Sequence, residues 1–242
     1  MVGALRAVRQ LLHLWLIGLK VRGFGGVDAL LGALTPLLLY VLLAKRAPVD
    51  ETPRVFLGMV VLSALVMMRK LGLDLVSDRV FGQLALIEAM GVTRGRYLAA
   101  QLLTGISYGV VPGVVLAVGM ALGIVNLPSS SRWVAVLLVV VSSTASLGLL
   151  LGACLRSLPA AHLVLNLAAI LSMALAPVAY PPERVSGWLL PIVELIPATL
   201  GAEALVAAFS RDVFEGFPLA LLVAWTLVAM GGAGFGLRRQ TA

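Results

Sequence analysis

Cysteine is nearly absent from this 242-residue chain: Cys154 stands alone, so no disulfide forms within it and a multi-cysteine metal site is excluded. Lying inside an apolar run, Cys154 reads as a small buried hydrophobe. Histidine is almost as scarce. His13 falls on a polar helix stripe and takes no ligand role, and His162 reads as an interfacial histidine rather than a proton relay. Charge is also sparse, at 12% of residues against about 25% in soluble domains, which points to lipid as the solvent. No GxxxxGK[ST] loop occurs, so the chain has no P-loop of its own, and no HExxH or CxxC is present. Asp74 and Asp78 could suggest a carboxylate dyad. They stand one helical turn apart with Lys70 one turn earlier, which is an i,i+4 charge ladder. No intramembrane enzyme is supported.

What the chain has in quantity is apolar surface, 61% of its residues. A spanning helix needs about 20 residues, and six runs qualify: 27–44, 55–76, 97–125, 133–155, 160–180 and 217–237. They extend from end to end and leave no room for a second, soluble domain, so residues 1–242 read as one membrane domain. The first twenty residues carry Arg6, Arg9, His13 and Lys20 spread along them, unlike the basic tip and unbroken apolar core of a signal peptide. At 100° per residue, Arg6, Arg9, Gln10, His13 and Lys20 fall on one face and Leu5, Leu12, Trp15, Leu16 and Leu19 on the other. Residues 1–22 are therefore expected to be an amphipathic helix lying along the membrane surface, with Gly23, Gly25 and Gly26 turning the chain into the first span.

Orientation follows from the cations. With the N-terminus inside, twelve Lys and Arg fall on the inner side (Arg6, Arg9, Lys20, Arg22, Arg69, Lys70, Arg79, Arg94, Arg96, Arg156, Arg238, Arg239). Six fall outside (Lys45, Arg46, Arg54, Arg132, Arg184, Arg211). That bias places both termini in the cytoplasm. The net charge of +7 then reflects loops held against anionic membrane lipids, not nucleic acid.

Two regions break the simple pattern. The second span carries Arg69, Lys70, Asp74 and Asp78, a charge network expected to face the subunit interior or a wet vestibule, with Lys70 near Asp74; the competing reading is snorkelling to the inner headgroups. Residues 181–216 hold Pro181, Pro182, Pro191 and Pro197 between apolar runs too short to cross. They read as two short re-entrant helices, about 182–196 and 198–209, in the outer leaflet. Gly109/Gly113, Gly119/Gly123 and Gly148/Gly152 allow close helix approach, chiefly within the subunit. Ser142, Ser143, Thr144 and Ser146 are expected to bond back to their own helix.

The segment SDRVFGQLALIEAMGVTRGRYLAAQLL, between spans two and three, resembles the cytoplasmic signature of the type-2 ABC exporter permeases. Asp78 and Arg79 stand at the charged pair and Gly82-Gln83-Leu84-Ala85 at the second motif, with Ala85 where the family favours Glu. Gly91-Val92-Thr93-Arg94 stands at the turn, with Gly91 where it favours Pro. The N-terminal helix, the six spans and APVAYPPERVSGWLLPIVELIPATLGAEAL before the last span fit the same family. The resemblance implies a coupling helix over residues 80–91 that contacts an ATPase subunit through Arg79, Phe81, Gly82, Leu84, Ile87, Glu88, Gly91 and Arg94. Phe81, Leu84 and Ile87 are the expected seating side chains and Glu88 a polar edge. It also implies an outer gate at Pro182, Glu183, Trp188, Pro191 and Pro197.

The resulting expectation is an all-α integral membrane protein with six spans, an interfacial N-terminal helix and re-entrant helices before the last span. It would be the permease subunit of an ATP-driven exporter in a bacterial or archaeal-type cytoplasmic membrane, without an ATPase site of its own. ATP and Mg would be bound on a partner ATPase subunit, present in two copies, beside a second, identical or homologous permease. The nearly unbroken apolar spans suit a hydrophobic or amphiphilic cargo, a drug or a lipid. A secondary transporter or a non-transporting membrane scaffold is the alternative; the former calls for midplane charges and internal repeats, of which spans three to six show none.

Overall fold

The computed structural model describes residues 9–16, 38, 40–42, 52–126, 131–177, 185–209 and 216–239. They form helices and connecting turns, with no strand among the described residues. We number the helices α1 (Thr52–Val80), α2 (Gln83–Ala89), α3 (Arg94–Tyr108), α4 (Val110–Ala121), α5 (Arg132–Cys154), α6 (Leu158–Leu175), α7 (Leu190–Glu194), α8 (Pro197–Phe209) and α9 (Gly216–Arg239). Among the described residues, five apolar helical units are long enough to cross a membrane: α1, α3 with α4 taken together, α5, α6 and α9. Of the expected first span, only residues 38 and 40–42 are described. They are helical, and Tyr40 sets its ring edge-on to Phe56 at 5.2 Å.

Of the five, α1 is the most deeply buried, packed by α5, α6, α8 and α4. Its nearest neighbour is α5, and glycine makes that possible. A Cβ on Gly148 would strike the Met68 carbonyl, and one on Gly152 would lie 2.6 Å from the Gly72 carbonyl. The matching order of these contacts shows that α1 and α5 run parallel. On another side Gly119 receives the Phe56 ring and Gly105 lies under Leu71, so α3 and α4 run antiparallel to α1. α6 is antiparallel too, with Leu165 over Gly72 and Ala161 against Val76. Small residues thus serve backbone approach within the subunit, where lipid offers no hydrophobic drive for helix association. The hydroxyls of α5 bond back as expected: Ser142 donates to the Leu138 carbonyl at 2.7 Å and Ser146 to that of Ser143 at 2.9 Å.

α6 and α9 sit at the periphery with apolar side chains facing out, among them Leu163, Leu167, Leu227 and Val228. Cys154 is exposed at the end of α5, a correction to the buried reading; it belongs to the last turn, past the packed Gly152. The N-terminal stretch 9–16 is helical and follows α3. Arg96 donates to the Gln10 side chain at 2.8 Å, and the Trp15 indole donates to Ser107 at 2.9 Å. Trp15 thereby stands thirteen residues beyond the start of α3.

Candidate functional site

The sequence-singled residues gather at two ends of the bundle, one capped by α2 and the other by α8. At the α2 end, α1 stops because Gly82 takes φ 74°, the left-handed conformation that L side chains resist. The Leu86 amide donates back to the Gly82 carbonyl and opens α2. Gly91 closes it at φ 79°. Its amide donates to the Glu88 carbonyl at 2.9 Å and that of Val92 to Ile87 at 3.3 Å, the pairing of a Schellman stop. Thr93 then caps α3, accepting from the Arg96 amide. Two glycines and one cap therefore hold a seven-residue helix between α1 and α3.

That helix is braced from beneath. Asp78, 3% exposed on the last turn of α1, accepts from the Tyr97 hydroxyl and from the Gln101 amide at 3.2 Å, and Gln101 also donates to the Tyr97 oxygen at 2.9 Å. A buried carboxylate with satisfied oxygens fixes α1 to α3 at the corner from which α2 departs. Arg94 forms an ion pair with Glu88 and donates to the Leu237 carbonyl at 3.1 Å, joining α2, α3 and the last turn of α9. Arg79 donates to the Ala153 carbonyl at 3.4 Å, at the end of α5.

The faces of α2 differ from expectation. Phe81 is 69% exposed, but Leu84 is only 3% exposed and Ile87 packs against the same core as Tyr97 and Leu98. Leu84 and Ile87 anchor α2 to its own chain and do not present a seating surface. The exposed apolar side chains are Val80, Phe81, Leu86 and Met90. Glu88 is spent on Arg94 and is an intramolecular brace. The expected α1 network also divides. Lys70 pairs with Asp74 at 3.6 Å and lies over the Tyr108 ring at 5.7 Å, whereas Asp78 belongs to Tyr97 and Gln101. Arg69 is exposed.

At the opposite end α8 lies inside the bundle against α5, α9 and α1. A Cβ on Gly201 would rest 3.2 Å from Val140 and 3.3 Å from Val61. Arg54, in the first turn of α1, forms an ion pair with Glu203 of α8. The Trp225 indole of α9 donates to the Leu195 carbonyl at 3.1 Å, in the bend before α8. Pro197 is buried at the start of α8 and Pro191 lies in the first turn of α7. α7 spans only Leu190–Glu194, shorter than the first re-entrant helix expected, and Trp188 before it is exposed. Pro182 and Glu183 lie outside the described residues.

Neither end assembles a nucleophile with a base, and no group of three metal-ligating side chains occurs among the described residues. What the chain offers is a short surface helix rigidly joined to a helical bundle. A family model for ABC-2 type transporters matches residues 11–210. The chain belongs to the ABC-2 type transporter family. A search of the curated proteins returns no match. As an ABC-2 membrane domain it is an ABC permease component, a role that goes with an ABC ATPase as partner. In this permease α2 falls inside the matched region, as do α1, α3 to α8 and the N-terminal stretch from Leu11.

Proposed function

We propose that this permease is the membrane half of an ATP-driven exporter and that α2 is its docking helix for a separate ATPase subunit on the cytoplasmic side. The carrying observation is the combination at α2. An exposed apolar edge (Phe81, Leu86, Met90) is mounted on a corner fixed by Asp78–Tyr97–Gln101 and Glu88–Arg94. A compliant loop would absorb a push from a partner; a braced helix passes it to α1, α3 and α9. ATP and Mg bind on the partner, in two copies facing two permeases, and both termini of this chain are cytoplasmic.

The remainder of the bundle suits one state of such a cycle. Every α1 residue from Val55 to Leu65 is buried, and α8 with its Arg54–Glu203 pair seals that half against the outside. In the other half of α1 Arg69 is exposed, which suits a half that faces the cytoplasm. The cargo has an apolar body, in keeping with spans that offer little to a sugar chain or a free ion. Co-expression with an ATPase subunit tests the reading. Phe81→Asp should lower complex yield at least several-fold while membrane insertion stays normal; unchanged yield and unchanged substrate-stimulated ATP hydrolysis would contradict it.

A further inference from the structure

Between Val55 and Arg79, one residue of α1 is exposed, and it is Arg69. Its neighbours explain why that charge is left over. Lys70 is matched by Asp74 at 3.6 Å and by the Tyr108 ring; among the described residues no carboxylate or carbonyl pairs with the Arg69 guanidinium. The half-buried residues one turn to either side on the same stripe, Val66 and Leu73, are apolar.

Depth follows from the α1–α5 contact. Met68 lies against Gly148, so Arg69 is level with Leu149, five residues and about 8 Å short of the end of α5 at Cys154. With this end of the bundle cytoplasmic, as the permease reading has it, the Arg69 backbone lies at the depth of the inner leaflet. A cation at such depth is costly unless an anion or water accompanies it. The peripheral faces of α6 and α9 show what lipid contact looks like here: Leu163, Leu167, Ile170, Leu227 and Val228 are exposed there. Arg69 belongs instead to the central helix, as its one exposed position between Val55 and Arg79.

We propose that Arg69 receives the anionic headgroup of the transported molecule, so that the cargo is an anionic amphiphile, a carboxylate or phosphate on an apolar body. The guanidinium fork offers paired N–H donors to two oxygens of one anion, and Val66 and Leu73 flank it with apolar surface for the chain that follows. The inference rests on the permease reading. An anionic lipid headgroup resident at the same spot presents the same chemistry, so the test separates the two.

The experiment uses the permease with its ATPase partner in neutral phosphatidylcholine nanodiscs and proteoliposomes, probed with a fluorescent fatty acid and its uncharged primary amide. The acid should bind about tenfold tighter than the amide, the scale of one charge-assisted hydrogen bond, and be carried by ATP in preference to it. Arg69→Gln should abolish that preference, and Arg69→Lys, which keeps the charge and controls for folding, should retain most of it. Equal binding and transport of both probes, unchanged in Arg69→Gln, overturns the proposal and leaves the permease reading intact. Acid binding that depends on Arg69 but is displaced by phosphatidylglycerol, with only the amide transported, assigns the site to a resident lipid and also overturns it. Absence of ATP-driven movement of both probes by a complex that assembles and hydrolyses ATP overturns the proposal alone, whereas failure of the chain to assemble with the ATPase subunit overturns the permease reading.

Discussion

Tyr97 donates its hydroxyl hydrogen bond to Asp78, nineteen residues earlier in the chain, and this contact joins α1 to α3 just where α2 leaves them. Asp78→Ala would remove the buried acceptor that the Tyr97 hydroxyl and the Gln101 amide share, while Gln101 keeps its bond to the Tyr97 oxygen. Losing a buried charged acceptor costs about 1–3 kcal/mol, so the unfolding midpoint in detergent should fall clearly. Tyr97→Phe removes one donor and leaves Gln101 on the carboxylate, so its loss should be smaller. Equal midpoints for wild type and Asp78→Ala would mean that the triad does not hold the corner.

Gly82 and Gly91 both adopt positive φ with open space where a Cβ would sit. Alanine at either position therefore meets no clash, only the left-handed backbone cost of about 1–2 kcal/mol. The expected effect is local. Hydrogen exchange in α2 should accelerate in Gly82→Ala and Gly91→Ala while α5 amides keep wild-type protection. Uniform acceleration throughout the bundle would contradict the local assignment.

Gly148 and Gly113 both belong to four-residue glycine pairs, yet they predict opposite outcomes. A Cβ at 148 meets the Met68 backbone, whereas at 113 the nearest atom is Leu137 Cδ2 at 3.9 Å. Gly148→Ala should destabilise by about 1–3 kcal/mol through overpacking. Gly113→Ala should be neutral or slightly stabilising by helix propensity. Thermal unfolding of the two variants side by side checks the contrast.

Five of the six expected spans were legible because long apolar runs have one stable solution in lipid, the first lying mostly outside the described residues, and the Lys70–Asp74 pair was legible because i,i+4 spacing sets it. Gly91 announced the turn after α2, whereas Gly82, expected inside a helix over residues 80–91, forms the corner before it, since α1 runs to Val80 and α2 begins at Gln83. The facing of α2 was not legible. Leu84, Leu86, Ile87 and Met90 leave apolar residues all round a seven-residue helix, so periodicity gives no inner face, and Leu84 and Ile87 turned inward. Asp78 fitted a local ladder on spacing alone; its real partners, Tyr97 and Gln101, lie across a helical corner. Local spacing likewise could not show that Arg54 reaches Glu203, 149 positions on.

The Arg54–Glu203 pair tests the closure of the α8 end. Both side chains are partly exposed, so the pair is worth about 1 kcal/mol or less. Glu203→Arg should nevertheless raise thiol labelling of a cysteine placed at position 199, buried on α8, in a Cys154→Ser background. Adding Arg54→Glu should restore protection by reversing both charges. Failure of the double reversal to rescue would indicate that α8 is held by packing alone.

The central claim, that α2 meets an ATPase through its exposed edge, is tested most directly by photo-crosslinking from single positions in the purified complex. A photoreactive side chain at Leu86 or Met90 should capture the ATPase subunit. The same group at Leu138, exposed within α5, should capture lipid or nothing. ATPase adducts from 138 as strong as those from 86, or none from either α2 position in an intact complex, would contradict the account.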